Sequence, residues 1–169
     1  MAQARIHSFP PVAGTSPALL VLGSMPSVAS LRAGQYYGNP RNHFWRLMAD
    51  VLGEPVAPEA YEDRLAMLAR HGVALWDALE SCVRPGSLDA AIADARPNDV
   101  AGFLRTHPTI RAIACNGRAA QAGLARQPEV DPSIRRILLP SSSPVPTRAT
   151  RSYADRLAAW LVLRDVLAV

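Results

Sequence analysis

The stretch Ala18-Leu19-Leu20-Val21-Leu22-Gly23, followed by Ser24-Met25-Pro26-Ser27, contains the pattern that decides the fold. Its first part is a continuous apolar run that ends in glycine, and its second part is short and largely polar. A strand that is buried on both faces of a parallel sheet has this pattern, because no polar residue alternates along it. We therefore predict a central strand over residues 18–23 and a ligand-facing loop over residues 24–27.

Three further apolar runs repeat this pattern along the chain. They are Val73–Asp77, Arg111–Gly117 and Arg136–Pro140. Helical spacing fills the intervals between the runs, for instance from Phe44 to Val51. Alternating strands and helices predict an α/β layered domain. Ligands of such sheets bind beyond the carboxyl ends of the strands, where the glycine-rich and polar residues of this chain gather.

Helix ends and chain length predict one domain with a short preceding arm. Asn98 is a candidate N-cap, and Ser152 with Asp155 resembles a capping box for a last helix. Residues 1–17 are rich in proline and glycine and predict a loose N-terminal arm. The remaining residues 18–169 are enough for a single domain.

Arginine supplies all of the positive side-chain charge of the chain when histidine is neutral. All 18 basic residues are arginine, and the net charge is +4. Arginine suits bidentate phosphate binding, although genome composition explains the bias equally well. The absence of lysine excludes a Walker-type phosphate loop and any Schiff base on a side chain.

Composition also argues against several other classes of protein. No apolar run is long enough to cross a bilayer, and residues 1–10 lack the apolar core of a secretory signal, so we expect a cytoplasmic protein. The two cysteines, Cys82 and Cys115, are too few for the four thiolates of an iron–sulfur cluster, and they form no Cys-x-x-Cys pair for zinc. The four histidines have no metal-binding spacing, so we expect neither a metal nor another cofactor.

Four parts of the sequence together resemble the uracil-DNA glycosylase superfamily. They are Gly23–Ser27 with Tyr36–Trp45, Val73–Asp77 with Arg84–Asp89, Asn116-Gly117, and Leu139–Pro144. The first motif, which continues as Tyr36-Tyr37-Gly38-Asn39-Pro40-Arg41-Asn42-His43-Phe44-Trp45, is most similar to that of the hypoxanthine-DNA (deoxyinosine) glycosylases. The resemblance extends from about Leu20 to Pro144.

This resemblance implies both a fold and a reaction. The expected fold is a three-layer sandwich in which helices flank a central, mostly parallel four-stranded sheet. The expected enzyme flips a deaminated base out of double-stranded DNA and hydrolyses its N-glycosidic bond. Hypoxanthine is the first expected base, with uracil or xanthine as alternatives. Since the chain has no lysine, we expect a monofunctional enzyme that leaves an abasic site.

The resemblance places the essential asparagine at Asn42. An amide can accept a hydrogen bond from water and donate one to the sugar or the base. The alternative from the residues alone is that Asn42 caps the helix that begins near Phe44, and the two roles can coexist. Met25 stands where many superfamily members have Asn or Asp, and a thioether can neither orient nor deprotonate water.

A base pocket is predicted next to this asparagine. Its predicted residues are Gly23, Ser24, Met25, Tyr37, Phe44, Asp77 and Asn116. Tyr37 corresponds to the aromatic residue that stacks on the flipped base, unless it belongs to the core. An ionised Asp77 only accepts hydrogen bonds, so it favours the ring N–H of a deaminated base over the bare nitrogen of adenine. The alternative is that Asp77 caps a helix or pairs with an arginine.

Contacts with DNA are predicted on two loops. The predicted residues are Pro26, Ser27, Ser141, Ser142, Ser143, Val145 and Arg148. The serines offer donors to phosphate oxygens, and Val145 stands where a wedge residue enters the base stack. Pro146 is expected to stiffen this loop, and Arg148 and Arg151 either reach phosphate or lie on a solvated loop.

Two other classes of function stay open at this point. A nucleic-acid-binding module without catalysis would use the same arginines and serines. A small α/β hydrolase is disfavoured because the nucleophile pattern Gly-x-Ser-x-Gly is absent. A monomer is the simplest expectation for the assembly state.

Overall fold

The computed structural model describes residues 3–145, 147–148 and 152–168. Within them the strands are β1 (Arg5–His7), β2 (Leu19–Gly23), β3 (Val73–Asp77), β4 (Leu79–Val83), β5 (Ala93–Pro97), β6 (Ala112–Asn116) and β7 (Arg135–Leu139). The α-helices are α1 (Val28–Ala33), α2 (Phe44–Leu52), α3 (Tyr61–Arg70), α4 (Val100–Thr106), α5 (Arg118–Ala125), α6 (Tyr153–Trp160) and α7 (Leu163–Leu167).

The central sheet has four strands in the order β3-β2-β6-β7, and every neighbouring pair is parallel. These are the four apolar runs of the sequence, so the predicted parallel sheet is confirmed. The register pairs Gly23 with Asp77 and Asn116 with Leu139. Since all four strands run the same way, these four residues lie at one edge of the sheet.

Helices cover both faces of this sheet and form the predicted three layers. Leu19 and Val21 point into one core with α2, α3, α6 and α7. Leu20 and Leu22 point into a second core with α4 and α5. All four of these β2 side chains are fully buried. Full burial of one leucine stabilises a fold by roughly 1.5–3 kcal/mol, so β2 is a major source of stability.

A second, antiparallel sheet was not predicted. It has three strands in the order β1-β4-β5, and β1 comes from the segment expected to be a loose arm. Val12 of the same segment also forms a bridge with Leu75 of β3. The expectation of a loose arm is therefore wrong for these residues. A strand as short as β1, and an exposed one such as β5, has too little apolar periodicity to be recognised.

Two predictions about helix ends differ in outcome. The capping box of Ser152 and Asp155 is present at α6. The cap of α4 is Asp99, whose side chain accepts from the Gly102 N–H, and not Asn98. The Asn98 amide instead donates to the Asp77 and Leu79 carbonyls, so it holds the turn that follows β3.

Candidate active site

A cavity of about 440 Å³ opens at the carboxyl edge of the central sheet. It brings together most of the residues predicted for the site. Those lining it are Asn42, Gly23, Ser24, Met25, Tyr37, Asp77, Asn116, Pro26, Ser27, Ser141, Ser142, Ser143 and Val145. Because these residues come from five separate stretches of sequence, the cavity is a product of the fold.

Two of the predicted residues do not line the cavity. The Phe44 side chain is fully buried, so its prediction as a pocket residue is wrong. Its ring stacks against Tyr37 with a centroid distance of 3.8 Å and an interplanar angle of 15°. Phe44 therefore supports the pocket aromatic from behind. Arg148 is exposed and stands outside the cavity lining.

The end of β2 must be glycine for the pocket to exist. A Cβ at Gly23 would lie 2.5 Å from Asp77 Oδ1 and 3.1 Å from the Tyr37 hydroxyl. Both distances are shorter than an ordinary contact. The missing side chain therefore lets a carboxyl and a phenol approach the same point of the cavity.

The loop after β2 is clamped by the segment 84–91, which follows β4. The Ser24 hydroxyl donates to Asp89 Oδ1 over 2.7 Å, and the Arg84 guanidinium donates to the Pro26 carbonyl. Arg84 is only 5% exposed. Pro26, expected to contact DNA, is thus buried at this clamp, although it still borders the cavity.

Asp77 is the most unusual group in the site. It is 4% exposed, and its Oδ2 atom is buried without a hydrogen-bond partner among the described residues. Burial, assisted by the Asp89 carboxylate and opposed by the Arg84 guanidinium, raises the pKa of Asp77 to about 7. Neither alternative role for Asp77 appears, since the described residues give its carboxylate no helix cap and no salt bridge.

The two polar atoms of the Asn42 amide differ, because one is hydrogen-bonded inside the protein and the other has no partner among the described residues. Its Oδ1 accepts from the Phe44 N–H over 2.9 Å, so it does assist the start of α2. No hydrogen bond is made by its Nδ2 among the described residues. The side chain is half-buried and lines the cavity. The capping role and a role toward substrate are therefore compatible, as the sequence analysis allowed.

Tyr37 and Tyr36 divide between pocket and core. Tyr37 has a left-handed backbone, with a φ of 53°, which turns the chain at this point. Burial, assisted by the Asp77 carboxylate, raises the pKa of Tyr37 well above its ordinary value, so its hydroxyl stays neutral. Tyr36 is 3% exposed and donates its hydroxyl to the Pro10 carbonyl over 2.8 Å.

Asn116 is fully engaged inside the protein. Its Nδ2 donates to the Tyr37 hydroxyl (3.1 Å) and to Ser142 Oγ (2.9 Å), and its Oδ1 accepts from the Ser142 N–H (2.9 Å). The predicted pocket residue thus borders the cavity but positions its neighbours. Because both donors and an acceptor are used, the amide holds the aromatic wall and the loop after β7 in one arrangement.

The loop after β7 presents an apolar tip on a braced base. Ser142, a predicted phosphate contact, is 1% exposed, and its hydroxyl oxygen accepts from Asn116 Nδ2. Arg156 of α6 donates to the Ser141 carbonyl (3.1 Å) and to the Val145 carbonyl (3.2 Å). The Val145 side chain itself is 55% exposed. The predictions for Pro146 and Arg151 fall outside the described residues.

Several residues of the cavity were missed from the sequence. Asn39 and Arg41 lie inside the first motif, which could have pointed to them. Ser87, Leu88 and Asp89 belong to the segment 84–91 and border the cavity as well. Leu88 is 66% exposed, a second apolar side chain at the cavity mouth. Its place depends on where the tertiary structure carries the segment that follows β4, which has no signature in the sequence.

Metal binding and membrane insertion find no support in the described part of the chain. No cluster of three or more histidine, cysteine, aspartate or glutamate side chains there could hold a metal ion. Among the same residues, no helix has the length and apolar character needed to cross a bilayer.

Comparison with known proteins places this architecture in one superfamily. The model of the uracil DNA glycosylase superfamily matches residues 10–164. The chain therefore belongs to the uracil DNA glycosylase superfamily, as its motifs predicted, and the α/β fold of that class is confirmed.

Two named relatives and one solved structure show which members of this superfamily the chain is similar to. A hypoxanthine DNA glycosylase of Methanosarcina acetivorans is 38% identical, over 91% of this chain and 94% of its own length. One of Methanosarcina barkeri is 33% identical over the same shares. The solution NMR structure of a candidate uracil DNA glycosylase from Methanosarcina acetivorans has a TM-score of 0.83 and 34% identity, covering 98% of this chain and 100% of its own.

Proposed function

We propose that this protein is a monofunctional DNA glycosylase that removes a deaminated base, first of all hypoxanthine from deoxyinosine, and leaves an abasic site. The observation that carries the proposal is the cavity in which Asn42, Tyr37 and Asp77 meet. Its similarity to two hypoxanthine DNA glycosylases supports the choice of substrate.

The cavity accounts for the recognition of a flipped base. A base inside a duplex is out of reach, so it must leave the stack before its glycosidic bond can react. Tyr37, held between Phe44 and the Asn116 amide, offers a fixed ring on which the base stacks. Such stacking contributes about 1–3 kcal/mol, which offsets part of the cost of flipping. Asp77 lies at the end of β3, where it meets the edge of the base.

Asn42 is the proposed catalytic residue. Its amide lies at the cavity wall, where its free Nδ2 can donate to the base or sugar and its Oδ1 can hold the attacking water. The sugar passes through an oxocarbenium-like state, as in other glycoside hydrolyses. No lysine is present to form a Schiff base with the abasic sugar, so the strand stays intact after hydrolysis.

Double-stranded DNA is the proposed partner, and a monomer is the proposed working unit. The exposed Val145 side chain would fill the space vacated by the flipped base. Ser27, Ser141 and Ser143 border the same cavity and can donate to phosphates next to it. Arg148, which is exposed outside the cavity lining, is a further proposed contact to the DNA backbone.

Uracil is the second candidate base, for one structural reason. Uracil and hypoxanthine both present a ring N–H beside a carbonyl, so the edge that faces Asp77 has the same donor and acceptor. The cavity volume of about 440 Å³ does not favour uracil, the smaller pyrimidine, over hypoxanthine, so uracil stays the second candidate.

The test is single-turnover excision from duplexes that contain one deoxyinosine, deoxyuridine or deoxyxanthosine, each with and without alkali. We expect alkali-dependent cleavage at inosine that falls by about 100- to 1,000-fold in Asn42→Ala, the range for loss of a preorganised polar group. Gln121→Ala, which removes an exposed amide from α5, is the matched control and should leave the rate unchanged.

Each other outcome has a definite meaning. Cleavage at uracil alone would retain the class of enzyme and replace the substrate. Tight binding of the duplexes without cleavage of any of them would favour the non-catalytic binding module. Cleavage without alkali would contradict the monofunctional chemistry.

A further inference from the structure

Asp77 is a buried acid that the folded protein leaves unpaired. Its Oδ2 has no hydrogen-bond partner among the described residues, and the whole residue is 4% exposed. Buried carboxylates in folded proteins are normally paired, because an unpaired charge away from water is strongly unfavourable. A buried acid without a partner lowers its free energy by holding a proton instead.

The charges around Asp77 favour the same form. Asp89 is a second carboxylate close enough to raise the pKa of Asp77, and the nearby phenols of Tyr36 and Tyr37 are uncharged. The nearby cation is Arg84, which directs its Nε to the Gly86 carbonyl and its Nη2 to the Pro26 carbonyl. Arg84 lowers the pKa of Asp77 through its charge, but neither it nor any other cation among the described residues forms a salt bridge with the carboxyl.

We propose that Asp77 acts on the flipped base as a neutral carboxylic acid, whose hydroxyl donates to the base carbonyl while its other oxygen accepts from the adjacent ring N–H. This inference rests on the proposed function and names how that site activates its substrate. It revises the expectation from sequence that Asp77 is an ionised acceptor.

A neutral acid fits the edge of a deaminated base better than a carboxylate does. That edge places a donor and an acceptor side by side, and a carboxylic acid offers the complementary pair. An ionised carboxylate would set a second negative oxygen against the base carbonyl. The pKa of Asp77, raised to about 7 mainly by burial, agrees with a large neutral fraction at neutral pH.

The proton of Asp77 also serves the departure of the base. When the bond between C1′ and the base nitrogen breaks, both bonding electrons stay with the base and charge spreads onto its carbonyl oxygen. The Asp77 hydroxyl bond to that oxygen strengthens and its proton moves across, so the base leaves neutral. Water adds its oxygen to C1′ and releases one proton, which restores the acid.

An ionised Asp77 would disfavour the bare ring nitrogen of adenine, but a neutral Asp77 does not, so discrimination against adenine needs another origin. A neutral acid can also pair with adenine if its proton sits on the other oxygen. Asp77 therefore activates the base, whereas exclusion of adenine comes from the higher cost of flipping a correctly paired base.

The test is the pH dependence of single-turnover inosine excision at saturating enzyme, between pH 5.5 and 9. We expect the wild-type rate to fall as pH rises through the pKa of Asp77, approaching tenfold per pH unit. Asp77→Asn should keep a reduced activity and lose this dependence, because a carboxamide has the donor and acceptor of the neutral acid but cannot transfer its proton. In Asp89→Asn the fall should begin at lower pH, because a neighbouring negative charge is gone.

Thermal unfolding supplies a readout that does not depend on activity. The folded pKa of Asp77 lies above its unfolded value near 3.8, so the folded state binds the extra proton and stability falls as pH rises between these values. Asp77→Asn should therefore melt higher than the wild type at pH 8, with a smaller difference at pH 5.

The opposite results would overturn the inference. A wild-type rate that rises with pH, with a folded but inactive Asp77→Asn, would show that the ionised carboxylate acts. An Asp77→Asn variant without any gain in melting temperature at pH 8 would contradict the neutral buried acid. Failure of the proposed function looks different, since the wild type would then excise no base at any pH.

Discussion

The two sides of the cavity are built in opposite ways. On the amide wall, formed by Asn116 with Ser141–Ser143, the Asn116 amide donates twice and accepts once inside the protein. On the acid floor, formed by Gly23 and Asp77, the carboxyl has no hydrogen-bond partner among the described residues. Both lie at the carboxyl ends of neighbouring parallel strands and border the same cavity.

This difference separates positioning from chemistry. A buried polar group that is fully bonded inside the protein fixes one geometry and has nothing left for a ligand. A buried polar group without a partner raises the free energy of the empty protein, and it gains a bond when the ligand arrives. The amide wall therefore shapes the cavity, and the acid floor is the side on which the proposed contact with the base falls.

The largest effect is expected from filling the acid floor. Gly23→Ala places a Cβ 2.5 Å from Asp77 Oδ1, so the carboxyl must move. A displacement of about 1 Å at a reacting group can cost about 100-fold in rate, and we expect a loss of that order in inosine excision. Gly14→Ala, at a glycine outside the cavity lining, is the control. An undiminished rate in Gly23→Ala would show that the position of Asp77 does not matter for the reaction, and Asp77 would then have no part in the mechanism.

A mixed effect is expected on the amide wall. Asn116→Ala leaves the buried Ser142 N–H without its acceptor, which costs about 1–3 kcal/mol of unfolding free energy. Excision should fall by roughly tenfold because Tyr37 and the loop after β7 lose their common brace. Urea unfolding and single-turnover rates measure both. Full stability with abolished activity would mean instead that Asn116 contacts the base directly.

The smallest effect is expected at Val145, the apolar tip of the loop after β7. Val145→Ala removes two methyl groups, and with one of them buried in the base stack, at about 0.8 kcal/mol per buried carbon, the duplex rate should fall about fourfold. Single-stranded substrate should be nearly unaffected, since it has no stack to fill. Val56→Ala removes an equally apolar side chain that is 73% exposed and lies outside the cavity lining. Equal losses in both variants would exclude a wedge at Val145.

The sequence predicted which residues form the two sides of the cavity better than it predicted what each residue does. Tyr37, Asn42, Asp77 and Asn116 were all selected, because each lies in or next to a motif at a strand end. Their roles were not equally accessible. The bonds of Asn116 reach Tyr37, 79 residues away, and Ser142, 26 residues away, and no local pattern reports such contacts. Phe44 was misplaced for the same reason, since spacing alone does not separate a ring in the pocket from the ring behind it.

By itself, the sequence determined the apolar runs that form the parallel sheet, the edge that holds the site and the absence of a side-chain amine. Short continuous apolar runs suit strands buried on both faces, and a chain without lysine has no side-chain amine that could form a Schiff base. Only the tertiary structure decided the second sheet, the clamp of segment 84–91 and the state of Asp77. Burial and the distance between charges are properties of the packed molecule, and these two quantities set the protonation of the acid on which the proposed chemistry depends.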